Sequence, residues 1–348
     1  MKKKIAILPI ILTIFLGTLT QSQSADYKKG FSAFLASDYL TAFRIWKPLA
    51  NNGHRMAQNS LGSMYYLGMG GRQDYQAALK WFTRAAKNGH RGAQDNLGTM
   101  YRKGIGVQKN YRTAAKWLTR AAKQGHPNAQ YFLGYFYDIG RGVPKNSGFA
   151  ETLIKASAKQ GDAKAQVWLG YLYHKGRGVR KNEKTASKWF TRAAKKGNQR
   201  GQYNLGVAYQ YGRGVAKNLN TALNWFNKAA EQGNDRAQYK LGSIYHNGEG
   251  VPKNLQLAIK WFSLAAEQGN AQAQRNLGAI YALGSGVTKD NIYAYMWSHL
   301  AVINGSKSGE KVREIVKNRM SFIQLRRAKK LARECFNKNF KGCYADKI

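Results

Sequence analysis

One stretch of 36 residues is written seven times in this chain, and that repetition limits what it can fold into. Aligned on Ala-Gln-x-x-Leu-Gly-x-x-Tyr, the copies start at Ala57, Ala93, Ala129, Ala165, Gly201, Ala237 and Ala273, with no insertion or deletion. Each copy continues with a Gly-x-Gly pair such as Gly140 and Gly142. A second block of the form Ala-x-x-Trp-Phe-x-x-Ala-Ala follows, and then a closing glycine. A strict period of this length marks a stacked array in which each repeat buries its apolar face only against its neighbours.

The pattern within a repeat is helical. Ala129, Leu133 and Tyr137 stand four residues apart and share one helix face. Ala186, Trp189, Phe190 and Ala193 follow an i, i+3, i+4, i+7 stripe. Between the two blocks the glycine pair breaks the helix, and Asn or Asp at the eighteenth place (Asp74, Asn110, Asn146, Asn182, Asn218, Asn254, Asp290) is suited to cap the second helix. The closing glycines suit left-handed helix stops. The glycine after each leucine, such as Gly62, is costly in a helix, so its recurrence points to close approach of two helix backbones. No strand pattern occurs anywhere. The chain therefore reads as all-α: seven helix–turn–helix repeats at 57–92, 93–128, 129–164, 165–200, 201–236, 237–272 and 273–308.

Helical caps flank the array. In residues 25–56 Tyr27, Phe31, Phe34 and Leu35 form one apolar face, and Ala42, Ile45, Trp46 and Leu49 form another; this is a degenerate N-terminal capping repeat. In residues 309–348, Val312, Ile315 and Val316 suggest one helix. Ser321-Phe322-Ile323-Gln324 is a capping box opening another, with Leu325, Ala328, Leu331 and Ala332 inward and Arg326, Arg327, Lys329 and Lys330 outward. A basic amphipathic helix lying on an anionic membrane surface is the alternative reading of this last segment.

These motifs resemble the Sel-one-like repeat (SLR) family, relatives of the tetratricopeptide repeats. The likeness covers all seven repeats and the N-terminal cap. Repeat three departs from it with Leu153 and Ile154 in place of Trp-Phe. The resemblance implies a right-handed α-solenoid that works as an adaptor between proteins, sometimes in contacts between bacterium and host.

Net charge is +40, from 57 basic and 17 acidic residues, and between Tyr75 and Tyr137 the only acid is Asp95. Such a field favours anionic partners and opposes self-association, so a monomer is expected. Residues 1–24 read as a secretory signal: Lys2, Lys3 and Lys4, then the apolar run Ile5–Leu16, then Ser22-Gln23-Ser24. That run is too short to span a bilayer and no second one follows. The expected setting is periplasmic or secreted, which argues against a nucleic-acid partner. A protein or peptide partner, acidic in character, is the first expectation; an anionic envelope polymer (peptidoglycan, teichoic acid or lipopolysaccharide) is the alternative.

Little in the chain points to catalysis. Cys335 and Cys343 are the only cysteines, and in an exported chain so close a pair suggests a disulfide. His54, His90 and His126 share one repeat position after the closing glycine and read as turn or cap residues. Ser308-Gly309-Glu310-Lys311 fits Ser-x-x-Lys but has no Ser-Asp-Asn or Lys-Thr-Gly partner. The glycine loops lack the Gly-Lys-Ser/Thr of a phosphate cradle. A non-enzymatic protein without cofactor or metal is expected.

Likeness to tetratricopeptide solenoids implies a concave face lined by the third, seventh, tenth and eleventh places of each repeat. In this chain those places give Tyr131, Tyr135, Tyr171, His174, Tyr203, Tyr211, Tyr239 and His246, with Arg102, Lys103 and Lys175 among them. These places vary from repeat to repeat, as a surface does, and rings beside cations suit peptide or sugar groups bearing carboxylates or phosphates.

Overall fold

The computed structural model describes residues 23–343, so the signal-like segment up to residue 22 lies outside the described residues. Every described element is a helix. Residues 23–35 form α1 and Tyr39–Asn51 form α2. The first helices of the seven repeats are α3 (Arg55–Leu67), α5 (Arg91–Lys103), α7 (Pro127–Ile139), α9 (Ala163–Lys175), α11 (Gln199–Tyr211), α13 (Asp235–Asn247) and α15 (Ala271–Leu283). Their second helices are α4 (Tyr75–Lys87), α6 (Tyr111–Lys123), α8 (Ser147–Lys159), α10 (Glu183–Lys195), α12 (Leu219–Glu231), α14 (Leu255–Ala266) and α16 (Asn291–Ile303). The C-terminal cap is α17 (Lys307–Lys317) and α18 (Phe322–Asn337). The result is an all-α solenoid of paired helices.

The chain divides into two compact units. One runs to Ala165 and takes in Arg177–Arg180; the other holds Gln166–Gly176 and everything from Lys181. Each has its own series of apolar clusters, one for roughly each repeat, built from the Ala, Leu and aromatic places of the motif.

The polar signals of the repeat do what their chemistry suggests. All seven Asn or Asp residues at the eighteenth place cap the second helix by accepting from a backbone N–H in its first turn. His54 and His90 cap first helices, Nδ1 accepting from Ala57 and Ala93 N–H at 3.2 and 3.1 Å. His126 holds the same position without a cap bond; its Nδ1 instead faces Asp95 at 3.7 Å. At that distance neither His126 Nδ1 nor Asp95 Oδ1 is hydrogen-bonded, and Pro127 holds the first helical position behind the ring.

Two glycine places have different causes. At Gly142 the backbone is left-handed, φ 74°, and the loop lies against the start of α6 so closely that a Cβ would sit 2.5 Å from the Tyr111 carbonyl carbon. At Gly62 a Cβ would lie 2.6 Å from the Phe82 ring. The glycine after leucine therefore makes room chiefly for the side chain at the Phe place of the second helix. The expected approach of two backbones is secondary there: in repeat four the Ala186 carbonyl is 3.1 Å from the Cβ site at Gly170, whereas the Phe190 ring is 2.5 Å away.

The glutamine of Ala-Gln has a role its sequence did not announce. Buried Gln94 donates from Nε2 to the Ala86 carbonyl at 3.1 Å, and its Oε1 accepts from Gln124 Nε2 at 2.8 Å. Gln58, Gln238 and Gln274 make the same pair of bonds, so each stitches its own helix to the second helices before and after it.

In the N-terminal cap, Tyr27 and Phe34 stack on buried Trp46, whose indole N–H donates to the Tyr27 carbonyl at 3.1 Å. Phe31 and Leu35, expected on the same inward face, are exposed at 46% and 69%, because α1 turns only its Tyr27–Phe34 edge toward α2 and α3. At the other end the capping box of Ser321 and Gln324 is formed, and Cys335 and Cys343 are disulfide-bonded with Cα atoms 5.5 Å apart.

Candidate functional site

In the second compact unit the varied first-helix places come together along α9, α11, α13 and α15 as three adjoining recesses. The first, about 340 Å³, is lined by Tyr171, His174, Lys175, Tyr203, Arg213 and Arg236, among others. Tyr203 and Arg236 also line the second, about 890 Å³, with Asp235, Tyr239 and Lys240. Tyr239 continues into the third, about 300 Å³, with His246, Phe262 and Arg275.

Local packing fixes the side chains of this track. His174, the next-to-last residue of α9, hydrogen-bonds through Nδ1 to both carboxylate oxygens of Glu183, at 3.0 and 2.9 Å. Tyr203 leans on Phe226 with ring centroids 5.9 Å apart, and Tyr239 leans on Phe262 at the same distance. Burial pushes the Tyr203 phenol above its ordinary pKa, although Lys240 and Arg236 pull the other way. Tyr203 thus lies within the field of both cations. Tyr211, 53% exposed, stands at the end of α11, where Lys240 Nζ donates to its hydroxyl at 3.1 Å and Arg213 lies 5.0 Å from its ring centroid. Lys175 is exposed.

The first compact unit carries its own smaller grouping. The Arg102 guanidinium lies 4.0 Å from the Phe132 ring centroid, and Tyr131 packs on Phe132 at 4.9 Å. Tyr135 is half-buried against the cluster of α6 and α7. Lys103 stands exposed at the end of α5. Asp95, one place among these, is buried; burial raises its pKa against the opposing hydrogen bond from Asn128 at 2.7 Å.

Five of the six expected tyrosines, Tyr131, Tyr135, Tyr171, Tyr203 and Tyr239, therefore serve packing as well as surface. Tyr203 and Tyr239 present an edge and a hydroxyl to the recesses while their rings lie against core phenylalanines. Among the described residues no group of three or more His, Cys, Asp or Glu side chains could hold a metal. Ser308 of the Ser-x-x-Lys match sits in the first turn of α17 with its hydroxyl 3.3 Å from that of Ser306.

The model of the Sel1 repeat matches seven times, at residues 55–90, 92–126, 127–162, 163–198, 199–234, 235–270 and 271–306. The chain belongs to the Sel1-repeat family. Proteins of this family are typically non-enzymatic scaffolds that mediate protein–protein interaction. Two solved Sel1-type structures are similar in sequence as well as fold. A protective antigen present in uropathogenic Escherichia coli strains, displaying an SLR fold, is 30% identical over 93% of this chain and 78% of its own, with TM-score 0.59. A Sel1 repeat protein from Oxalobacter formigenes is 32% identical over 69% of this chain and 96% of its own, with TM-score 0.66. Among curated proteins the comparison finds no match.

The Sel1 frame also shows which site residues sequence reasoning missed. Arg236 and Lys240 hold the last and fourth places of their repeat register, and Glu183 opens a second helix. The fourth place reads Ser60, Asn96, Phe132, Trp168, Asn204, Lys240 and Asn276. It varies as much as the third, and that variation was the available signal.

Proposed function

We propose that this Sel1-repeat protein is an exported scaffold whose second compact unit holds a protein segment rich in carboxylates along α9 to α15. The observation that carries this reading is the run of three adjoining recesses edged by Lys175, Arg213, Arg236 and Lys240. Against them stand Glu183, which His174 engages, and Asp235, whose Oδ2 accepts from Asn270 Nδ2 at 2.9 Å. Cations in such recesses pair with carboxylates, and Tyr203, Tyr211 and Tyr239 add hydroxyls for peptide groups. An anionic envelope polysaccharide fits less well. Sugars need an open ring face, and the Tyr203 and Tyr239 rings lie on Phe226 and Phe262.

The signal-like residues 1–24 support export, and likeness to a protein described as a protective antigen of uropathogenic Escherichia coli is in keeping with a bacterial envelope or host-facing setting. The test is capture of proteins from envelope fractions by the wild type, by Arg236→Gln/Lys240→Gln, and by Lys80→Gln/Lys188→Gln on second helices. The groove variant should lose its captured proteins while the second-helix variant keeps them. Equal capture by all three would refute the groove as the binding face.

A further inference from the structure

The last helix turns a distinctive face outward. From Lys317 to Arg333 the chain carries seven cationic residues and no carboxylate. α18 packs inward through Ala328, Ala332 and Cys335, all buried, and the Cys335–Cys343 bond ties its end. Helical spacing then sets Phe322, Arg326 and Lys330 on the opposite side, with Ile323 beside them and Arg333 at the edge, where it also borders a recess with His299 and Ile303 of α16. Phe322 is 81% exposed and Ile323 78%, the two most exposed large apolar side chains among the described residues. The flanking acids are few: Glu334 lies 3.9 Å from Lys330, and Glu314 is engaged by Arg313 and Lys317.

We propose that this face of α18 seats on an anionic phospholipid bilayer, with Phe322 and Ile323 entering the boundary between headgroups and acyl chains. Arg326, Lys330 and Arg333 then meet lipid phosphates. The combination decides the class of partner. A soluble polyanion or nucleic acid would use the cations but gains nothing from an adjacent Phe-Ile pair. A bilayer uses both, because apolar side chains leave water while basic ones stay at the charged surface. α18 lies on the surface and does not cross it: no described helix is long and apolar enough to span a membrane. This surface lies at the C-terminal cap and is separate from the groove proposed for the protein partner, so either can fail without the other.

The experiment is co-sedimentation of the full chain, disulfide intact, with vesicles of equal parts phosphatidylglycerol and phosphatidylcholine, and with phosphatidylcholine alone. The wild type should partition onto the anionic vesicles and stay off the neutral ones. Phe322→Ser/Ile323→Ser should weaken partitioning on the order of tenfold, with helicity unchanged because both side chains are in water. Arg326→Gln/Lys330→Gln/Arg333→Gln should weaken it roughly fivefold per charge. A control with equal charge loss on second helices, Lys80→Gln/Lys116→Gln/Lys188→Gln, should remain near wild type. Three results would overturn the proposal. Undiminished binding by the Phe322/Ile323 variant would mean a purely electrostatic surface suited to soluble polyanions. A control as damaging as the α18 charge variant would mean a diffuse effect of the net charge. Equal sedimentation with neutral vesicles, or none with either, would exclude an anionic bilayer.

Discussion

Replacing Gln94 with methionine tests the stitching of successive helices while nearly keeping side-chain volume. Gln94 is buried on α5, donates to the Ala86 carbonyl and accepts from Gln124. Two circumstances set the cost. The Ala86 carbonyl also accepts from Gly89 N–H at 3.1 Å, so it keeps a partner. Gln124 is exposed, so its freed amide turns to water. Gln94→Met therefore forfeits two net hydrogen bonds and leaves no orphaned buried group, which puts the loss at roughly 2 kcal/mol. The near-isosteric swap adds less than about 1.5 kcal/mol.

The readout is amide hydrogen exchange in peptides covering α4 to α6, since a repeat array opens locally. A loss of roughly 2 kcal/mol corresponds to about thirtyfold faster exchange there. Gln124→Ala removes one of the two bonds but leaves the buried Gln94 Oε1 without that donor, so it should give at least about fivefold. The double variant should match Gln94→Met alone, because both changes delete the same bond. Unchanged protection in Gln94→Met, or strict additivity with Gln124→Ala, would refute the clamp.

Acid should destabilise the protein through its cap histidines. Burial, with Arg55 close to both, holds the folded pKa of His54 and His90 below the ordinary value. The unfolded state then binds more protons, so stability is full above about pH 6.5 and is lost as the pH falls below it. His54→Asn/His90→Asn keeps a capping side chain without a proton to gain, so its melting temperature should vary less with pH; an unaltered pH profile would reject the assignment. Gly142→Ala should cost at least about 2 kcal/mol more than Gly125→Ala. Both positions have positive φ, but only Gly142 also meets backbone; equal melting temperatures would deny the close approach. Cys335→Ser should lower stability by about 2 kcal/mol through loss of a short closed loop. Intact mass should show an oxidised pair and a chain beginning near Ala25; free thiols would count against the first reading and a retained Met1 against the second.

Period and residue type made the helices and their caps legible, because each cap needs only one short polar side chain beside one helix start. The aspartates and asparagines at the eighteenth place are local devices, and local devices are written in sequence. Gln94 was not legible in the same way. Its two partners lie eight residues before and 30 after it, on helices whose approach is fixed only once the repeats stack. The groove divides along the same line. Variation along the first helix marked Tyr203 and Tyr239 as surface, but the phenylalanine on which each ring rests comes from the second helix of the same repeat. A place that varies in sequence can still be half core when a constant residue lies beneath it. For that reason Tyr203→Ala is a poor probe of binding: it would remove an aromatic contact worth about 0.5–1.5 kcal/mol beyond the area it buries. Arg236 and Lys240 line the recesses and have no ring contact with Phe226 or Phe262 like that of Tyr203 and Tyr239, so their replacement tests the proposed partner with less disturbance of the repeat.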